Sequence, residues 1–384
     1  QFGIYLQDDW QASDKLTLNL GVRWDYERNP SYEDNVLNAG IATALRAWPN
    51  IRNTDYNIND YISTGNNRSS FKDAIQPRLG FSYDLFGDQR HVFFGGAGRA
   101  YDRNIFDYMA REFYSGATTT VTLNFLTPMH PCSGSRPACV PWNPAFLTPE
   151  GMAAYAAANP QGTQSEVFLI NNDIKTPYSD QFSLGMRNIF ALWGHDWNSS
   201  VAVSHIRSYD GIYFRNGRRR PDGSFHQFES QGQTWGGGPG DNVPGVGGLL
   251  LGDNGFEYRS TSLLVSLDKP YTQESKWGVN VAYTLTDGEE NRPNASNGET
   301  FLFDYPWAGN EFYDSTGVAK HRLVLSGIYS PGWDLIFSSK LIVASPMPIS
   351  SVNRLLSPAN GTCTPITGQA NCGDLRAYYD TVTP

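Results

Sequence analysis

The sequence predicts an all-β fold: a transmembrane, antiparallel, up-and-down β-barrel, of which this chain supplies about ten strands joined alternately by short turns and long extracellular loops. Three observations predict it. Strand-length segments alternate apolar and polar residues with a period of two, so each offers one apolar and one polar face. The segments come in pairs joined by short turns, while long irregular stretches separate one pair from the next. Aromatic residues make up 14% of the chain, with 21 Tyr, 21 Phe and 10 Trp, and they gather near predicted strand ends, where an apolar body with a polar tip suits a membrane interface.

The first pair runs from Phe2 to Gln11 and from Leu16 to Arg28, joined by ASDK. In it Leu16, Leu18, Leu20, Val22, Trp24 and Tyr26 oppose Thr17, Asn19, Gly21, Arg23 and Asp25. A second pair covers Ile75 to Phe86 and His91 to Asp102 around GDQR, with Ile75, Leu79, Phe81, Tyr83 and Leu85 as its apolar stripe. The third covers Pro177 to Phe190 and Trp197 to Tyr213 around LWGHD; the fourth covers Phe256 to Leu267 and Lys276 to Thr286 through KPYTQE. In the fourth, Trp277, Val279, Val281, Tyr283 and Leu285 face away from Gly278, Asn280, Ala282, Thr284 and Thr286. The fifth covers Lys320 to Tyr329 and Trp333 to Ser345, turning at SPG. Strands of roughly ten residues match the ~9 to 11 that cross a bilayer at a tilt. Large apolar residues on one face and small or charged residues on the other are what lipid outside and water inside require. Trp10, Trp24, Tyr26, Trp193, Trp197, Trp277 and Trp333 are the candidate girdle.

Between the pairs lie connections near 29–73, 103–176, 214–255 and 287–317, and a stretch from 346 onward. Such lengths are unusual inside compact soluble domains but expected of barrel loops. One insert, TPEGMAAYAAANP at 148–160, reads as a short helix, with Pro149 in its first turn and Asn159 and Pro160 stopping it. The chain begins at Gln1 without a charged-then-apolar leader and ends in a loop-like stretch with no closing strand, so it reads as part of a longer polypeptide.

Other function classes find little support. No run approaches the ~18 apolar residues of a membrane helix. A net charge of -9 argues against nucleic acid as a partner. The basic RNGRRR cluster, Arg215 to Arg220, is either a solvated loop or a site for an anionic ligand or lipopolysaccharide. Glycine-rich GGGPGDNVPGVGG at 236–248 lacks the Lys-Ser or Lys-Thr of a phosphate loop. Asp8 and Asp9 are adjacent on a strand and face opposite ways, which makes them poor acid/base partners. The sequence therefore predicts no enzyme, no cofactor and no metal site. Its 4 cysteines allow three pairings, and proximity favours disulfides joining Cys132 to Cys139 and Cys363 to Cys372.

FGIYLQDDWQASDKLTLNLGVRWDYE at 2–27 and IQPRLGFSYDLFGDQRHVFFGGAGRAYDR at 75–103 resemble consecutive hairpins of TonB-dependent outer-membrane receptors. TPYSDQFSLGMRNIF and KHRLVLSGIYSPGWDLIFSSKLIVASPMP are similar to later strands of the Oar-like branch of that family. The resemblance implies a barrel of about 22 strands plugged by an N-terminal domain and energised by a TonB-type complex that engages a region absent from these residues. It implies residence in the bacterial outer membrane among lipid and lipopolysaccharide, with the short turns periplasmic and a large ligand, such as a peptide, protein or glycan, taken up or exported. On this reading the loop residues Tyr114, Trp142, Arg218, Arg219, Trp235 and Tyr313 are candidate ligand contacts. Arg23, Arg78 and Arg187 line the lumen, where they meet substrate, plug carboxylates or strand neighbours such as Asp25 and Asp84. A non-energised barrel for adhesion, assembly or surface structure and a secreted glycan-binding β protein are the alternatives.

Overall fold

The alternating pattern folds into an antiparallel sheet whose main path runs through ten strands in order. The computed structural model describes residues 2–27, 33–68, 70–103, 106–117, 140–158, 167–219, 221–223, 243, 246, 248–291, 312–315, 317–358 and 372–382. The path comprises β1 (Phe2–Ser13), β2 (Leu16–Tyr26), β3 (Ala74–Asp84), β4 (His91–Tyr101), β6 (Tyr178–Leu192), β7 (His195–Asn216), β8 (Leu249–Lys269), β9 (Trp277–Glu290), β11 (His321–Gly332) and β12 (Leu335–Ala344). Short β5 (Val167–Ile170) joins β8, and β10 (Tyr313–Asp314) joins β9, completing a 12-stranded sheet. Among the described residues β1 and β12 do not pair with each other, so the sheet has two open edges.

Short turns close the pairs by recognisable local chemistry. Between β6 and β7, Trp193 and Gly194 both take positive φ, 51° and 73°, as a two-residue turn matched to strand twist requires. The same device joins β11 and β12 at Trp333 and Asp334, φ 55° and 56°. The turn therefore lies just beyond SPG, because β11 carries its pairing on to Gly332 opposite Leu335. After β3, the Asp84 carboxylate accepts the backbone N–H groups of Gly87 at 3.0 Å and Gln89 at 2.7 Å.

Register gathers rows of large apolar residues on one face. On one side, the row Trp10, Leu18, Phe81, Gly95, Leu184, Val203, Leu263 and Leu285 crosses eight strands. Gly95 has no room for a side chain there, since a Cβ would lie 2.7 Å from the Phe81 ring that covers it. Many residues of this face, including Leu79, Phe182, Leu184, Val201, Leu341 and Val343, are exposed. Trp197 at the short-turn end and Tyr209 at the long-connection end are twelve residues apart on β7. That is about 40 Å along a strand, or about 28 Å along the normal at a tilt of roughly 45°, close to the ~25 Å apolar band of a membrane barrel.

The described parts of the first two long connections contain regular elements. The first holds α1 (Ala39–Ala47), whose Asn38 side chain accepts the N–H groups of Gly40 and Ile41, and two single 3-10 turns, Pro49–Ile51 and Ile58–Asp60. The second holds α2 (Phe106–Ala117), a 3-10 turn at Pro144–Leu147, α3 (Pro149–Ala158) and β5. The stretch from 346 onward, read from sequence as a loop, contains paired strands β13 (Ile349–Pro358) and β14 (Cys372–Val382). β7 and β8 also run beyond the lengths expected from sequence, to 22 and 21 residues, because their outer ends pair with each other and β8 pairs with β5.

Candidate functional site

The site has a wall and a cap. The wall is the polar face of the sheet, where the row Asp9, Asn19, Gly80, Gly96, Ser183, Ser204, Ser262 and Thr286 crosses eight strands in register. That row carries amide, carboxylate and hydroxyl groups but no large side chain, so it is wettable. Asn19 donates to Asp9 at 2.6 Å, and the Ser262 and Thr286 hydroxyls lie 3.0 Å apart. Around this row stand the three predicted lumen cations. Arg23 forms a two-pronged pair with Asp25, both contacts at 2.8 Å, and Gln76 also donates to Asp25. Arg78 is exposed one strand away, opposite Gly21, and Arg187 is exposed opposite Val92 and Ser200. The structure thus puts all three on the polar face but does not gather them.

The cap is built at the long-connection end. Its core packs Leu37, Leu45, Trp48, Ile51, Tyr61 and Ile62 from the first connection against Val167 and Leu169 of β5, and against Val243, Val246, Leu249 and Leu251. A second cluster joins Met109 of α2 to Phe168, Ile170, Ile212, Phe214 and Leu250. Each fully buried residue of this size contributes ~1.5 to 3 kcal/mol. Between the connections runs a buried ion pair: Arg68 Nη1 and Nη2 donate to Glu112 at 2.5 and 2.7 Å, with side chains 2% and 1% exposed. Arg68 also donates to Asn172 Oδ1 and the Ile170 carbonyl, and Glu112 accepts the Ile170 N–H. The two charges are therefore paired and bonded further, as burial demands.

The predicted loop contacts fare differently. Tyr114, on α2, and Trp142 are 62% and 57% exposed, so both present rings to solvent. Trp142 packs edge-on against Phe146, which packs on Tyr155 of α3, making a small aromatic cluster. Tyr313 is half-buried in β10, opposite Glu290. Arg219 is a correction. It is only 2% exposed, donates to Asp55 at 2.7 Å and to the Arg218 carbonyl, and lies over the Tyr56 ring, so it braces the cap and is not presented to a ligand. Arg218 is half-buried beside it, so neither arginine is part of a solvated loop. Trp235, Cys132, Cys139 and Cys363 lie outside the described residues; Cys372 begins β14, whose side chains are likewise outside the description.

Sequence reasoning missed the Arg68 and Glu112 pair, which no spacing rule connects across 44 residues. It also missed a cavity of about 240 Å³ at the ends of β9, β10 and β12, lined in part by Asp287, Ser315, Lys320 and His321. Just past β2 and β4, Glu27 holds the Arg103 guanidinium above its ordinary pKa by hydrogen bonding and charge, fastening two strand ends together. Among the described residues no group of three or more His, Cys, Asp or Glu is placed to hold a metal ion, and no helix is long and apolar enough to cross a membrane.

A family described as Outer membrane beta barrel domain matches residues 1–333. Among solved structures, the chain is similar to the outer membrane transporter YddB from Escherichia coli, with a TM-score of 0.51 and 12% identity, covering 99% of this chain and 37% of that one. It is also similar to the siderophore receptor PiuA from Acinetobacter baumannii, with a TM-score of 0.42 and 11% identity over 94% of this chain and 34% of that one. For the ferric-catecholate import receptor Fiu from Escherichia coli K12 the values are 0.42, 12%, 93% and 36%. The chain thus spans little more than a third of the length of these structures. No curated protein sequence matches it.

Proposed function

The chain belongs to the outer membrane beta barrel family, and from that premise we propose that it forms part of the wall and the ligand-capturing cap of a TonB-dependent transporter. The observation that carries this reading is the pairing of a hydroxyl-lined wall with a folded cap at one end of the same strands. A hydroxyl row without large side chains leaves room beside the wall for a bulky solute or an internal plug, and a cap with exposed aromatics gives that solute a first contact. The cap faces outside the cell and the short turns face the periplasm. Tyr114 and Trp142 make that first contact, Arg78 and Arg187 meet the ligand or plug carboxylates in the lumen, and a TonB-type complex supplies the energy through a region outside this chain. The ligand is a peptide, protein or glycan. Neighbouring cysteines in the connections are disulfide-bonded, Cys132 to Cys139 and Cys363 to Cys372.

The test uses cells making the full-length protein and fluorescent pools of oligopeptides and oligosaccharides. Uptake of one pool should fall at least tenfold when the proton gradient is collapsed, and severalfold in a Tyr114→Ala, Trp142→Ala variant. A membrane-impermeant thiol reagent should label Val36→Cys in the cap of intact cells and spare Asp334→Cys in a short turn. Gradient-independent binding without uptake would favour an adhesive or structural barrel, and labelling of Asp334→Cys alone would reverse the orientation.

A further inference from the structure

A break in the sheet beside β9 makes a cavity that the transport reading leaves unassigned. β11 pairs with β9 as far as His321 opposite Leu285, and β10 pairs with it at Glu290 and Glu289, so Thr286, Asp287 and Gly288 lie between two partners. Hydrogen bonds hold the rim. The Thr286 N–H donates to the Lys320 carbonyl at 2.9 Å, the Ser315 N–H to the Gly288 carbonyl at 2.8 Å, and the His321 N–H to the Ser345 hydroxyl at 3.1 Å. The cavity between them has a volume of about 240 Å³. Gly288 adds no side chain to it, and a Cβ there would lie 3.1 Å from the Tyr258 hydroxyl and 3.3 Å from Val318, which also lines the space.

The lining carries both signs of charge and both kinds of hydrogen-bonding group. Asp287 and Asp314 offer carboxylates, which only accept, and Lys320 offers an ammonium, which only donates. Lys320 and Asp287 are 3.7 Å apart and 55% and 65% exposed, too far for a direct hydrogen bond and a pair of little worth in water. Both can therefore turn to a guest. A cation entering the cavity meets Lys320, and an anion meets the two aspartates. A neutral polyol meets neither penalty, because each of its hydroxyls both donates and accepts. Pro346, Pro348 and Val318 supply an apolar part of the wall for the C–H face of a sugar ring, the mixture of apolar lining and a few convergent polar groups that small-ligand sites share. Size points the same way. A cavity of ~150 Å³ holds benzene, so 240 Å³ takes one six-membered ring with its hydroxyls and not two.

We propose that this cavity binds one neutral hexopyranose residue of a glycan. Asp287 and Asp314 accept from its hydroxyls, Lys320 donates to a hydroxyl or ring oxygen, and the prolines cover one face. The assignment deepens the transport reading by selecting glycan from the ligands given there, and it rests on that reading only in making the bound sugar part of the solute taken up.

The test titrates the full-length protein, purified in detergent, with the methyl glycosides of glucose, galactose and mannose, each beside its amino-sugar and uronic-acid counterpart, binding being read by saturation-transfer NMR of the sugar. At least one neutral glycoside should bind, fivefold or more tighter than both of its charged counterparts. Gly288→Val should weaken that binding at least tenfold. Lys320→Met should move the preference toward the amino sugar, and the combined variant Asp287→Asn, Asp314→Asn should move it toward the uronic acid, opposite shifts that mere damage to the fold would not produce. Absence of neutral-glycoside binding by the wild type at tens of millimolar, or tighter binding of a charged counterpart, overturns the proposal even if no variant folds. Folded charge variants with unchanged preference, or a folded Gly288→Val that binds as before, overturn it too. Displacement of the sugar by glycylglycine at equal concentration would assign the cavity to a peptide end and likewise overturn it. Sugar binding together with gradient-independent behaviour in cells would leave the cavity standing and sink the transport reading, whereas energised uptake of the peptide pool with no sugar bound would do the reverse.

Discussion

Arg68 and Glu112 stand on different connections, yet each supplies the other's only sufficient reason to be buried as a charge. Removing one partner leaves an uncompensated ion inside the cap. Arg68→Met or Glu112→Leu alone should cost ~3 to 5 kcal/mol of cap stability, whereas the double variant should cost less than either single change because no charge remains. Amide hydrogen exchange at β5 in the full-length protein checks this ordering, and a double variant worse than both singles would refute it. Neither residue was legible as a partner in the sequence, since a contact across two long connections leaves no periodic trace. The Arg219 side chain misled for a related reason: three consecutive arginines read as surface charge, but its neighbours Asp55 and Tyr56 come from 164 and 163 residues away. By contrast, Arg23 with Asp25 was legible, because residues two apart on a strand share a face.

At the scale of one strand, β6 shows how far parity carries the argument. Ser183 and Leu184 are neighbours in sequence, and register sends the first to the hydroxyl row and the second to the apolar row. Leu184 lies opposite Val203, which is midway between Trp197 and Tyr209 on β7, so it stands at the middle of the band. Leu184→Lys should therefore destabilise folding into lipid bilayers by ~2 to 4 kcal/mol, while Ser183→Lys, one residue away, should be close to neutral. Urea titration of the full-length protein in vesicles decides it; equal losses would mean that both faces meet the same solvent. The antiparallel all-β character was legible because the period of two is clear in strands such as β2, β3 and β9. Parity also contained the Arg99, Asp180, Arg207 and Arg259 row, each member continuing an apolar stripe outward, but register between strands is needed to see them as one row. Short β5 left no such signal: four consecutive apolar residues, VFLI, fit a buried strand or a helix turn equally well.

For the molecule as a whole, the described parts of the first three long connections behave as one body, because their cores are shared. Leu45 of α1 is fully buried among residues of the first connection, β5 and the outer end of β8, so the first connection does not enclose its own apolar surface. A sequence read one segment at a time finds no core in any of them, which is why the cap was legible only as a set of long loops. The physical consequence is cooperativity: a cavity opened in one connection must loosen the others. Leu45→Ala should cost ~2 to 5 kcal/mol through lost burial and the cavity left behind. If the cap is one cooperative unit, hydrogen exchange should quicken by a similar factor in α1, in β5 and in Leu249 to Leu251, regions far apart in sequence. The band-spanning parts of β2 and β3 should be unaffected, since their protection comes from strand pairing that Leu45 does not touch. Faster exchange confined to α1 would instead mean that each connection folds alone on the sheet, and a ligand held by the cap would then contact separate loops and not a single preformed surface.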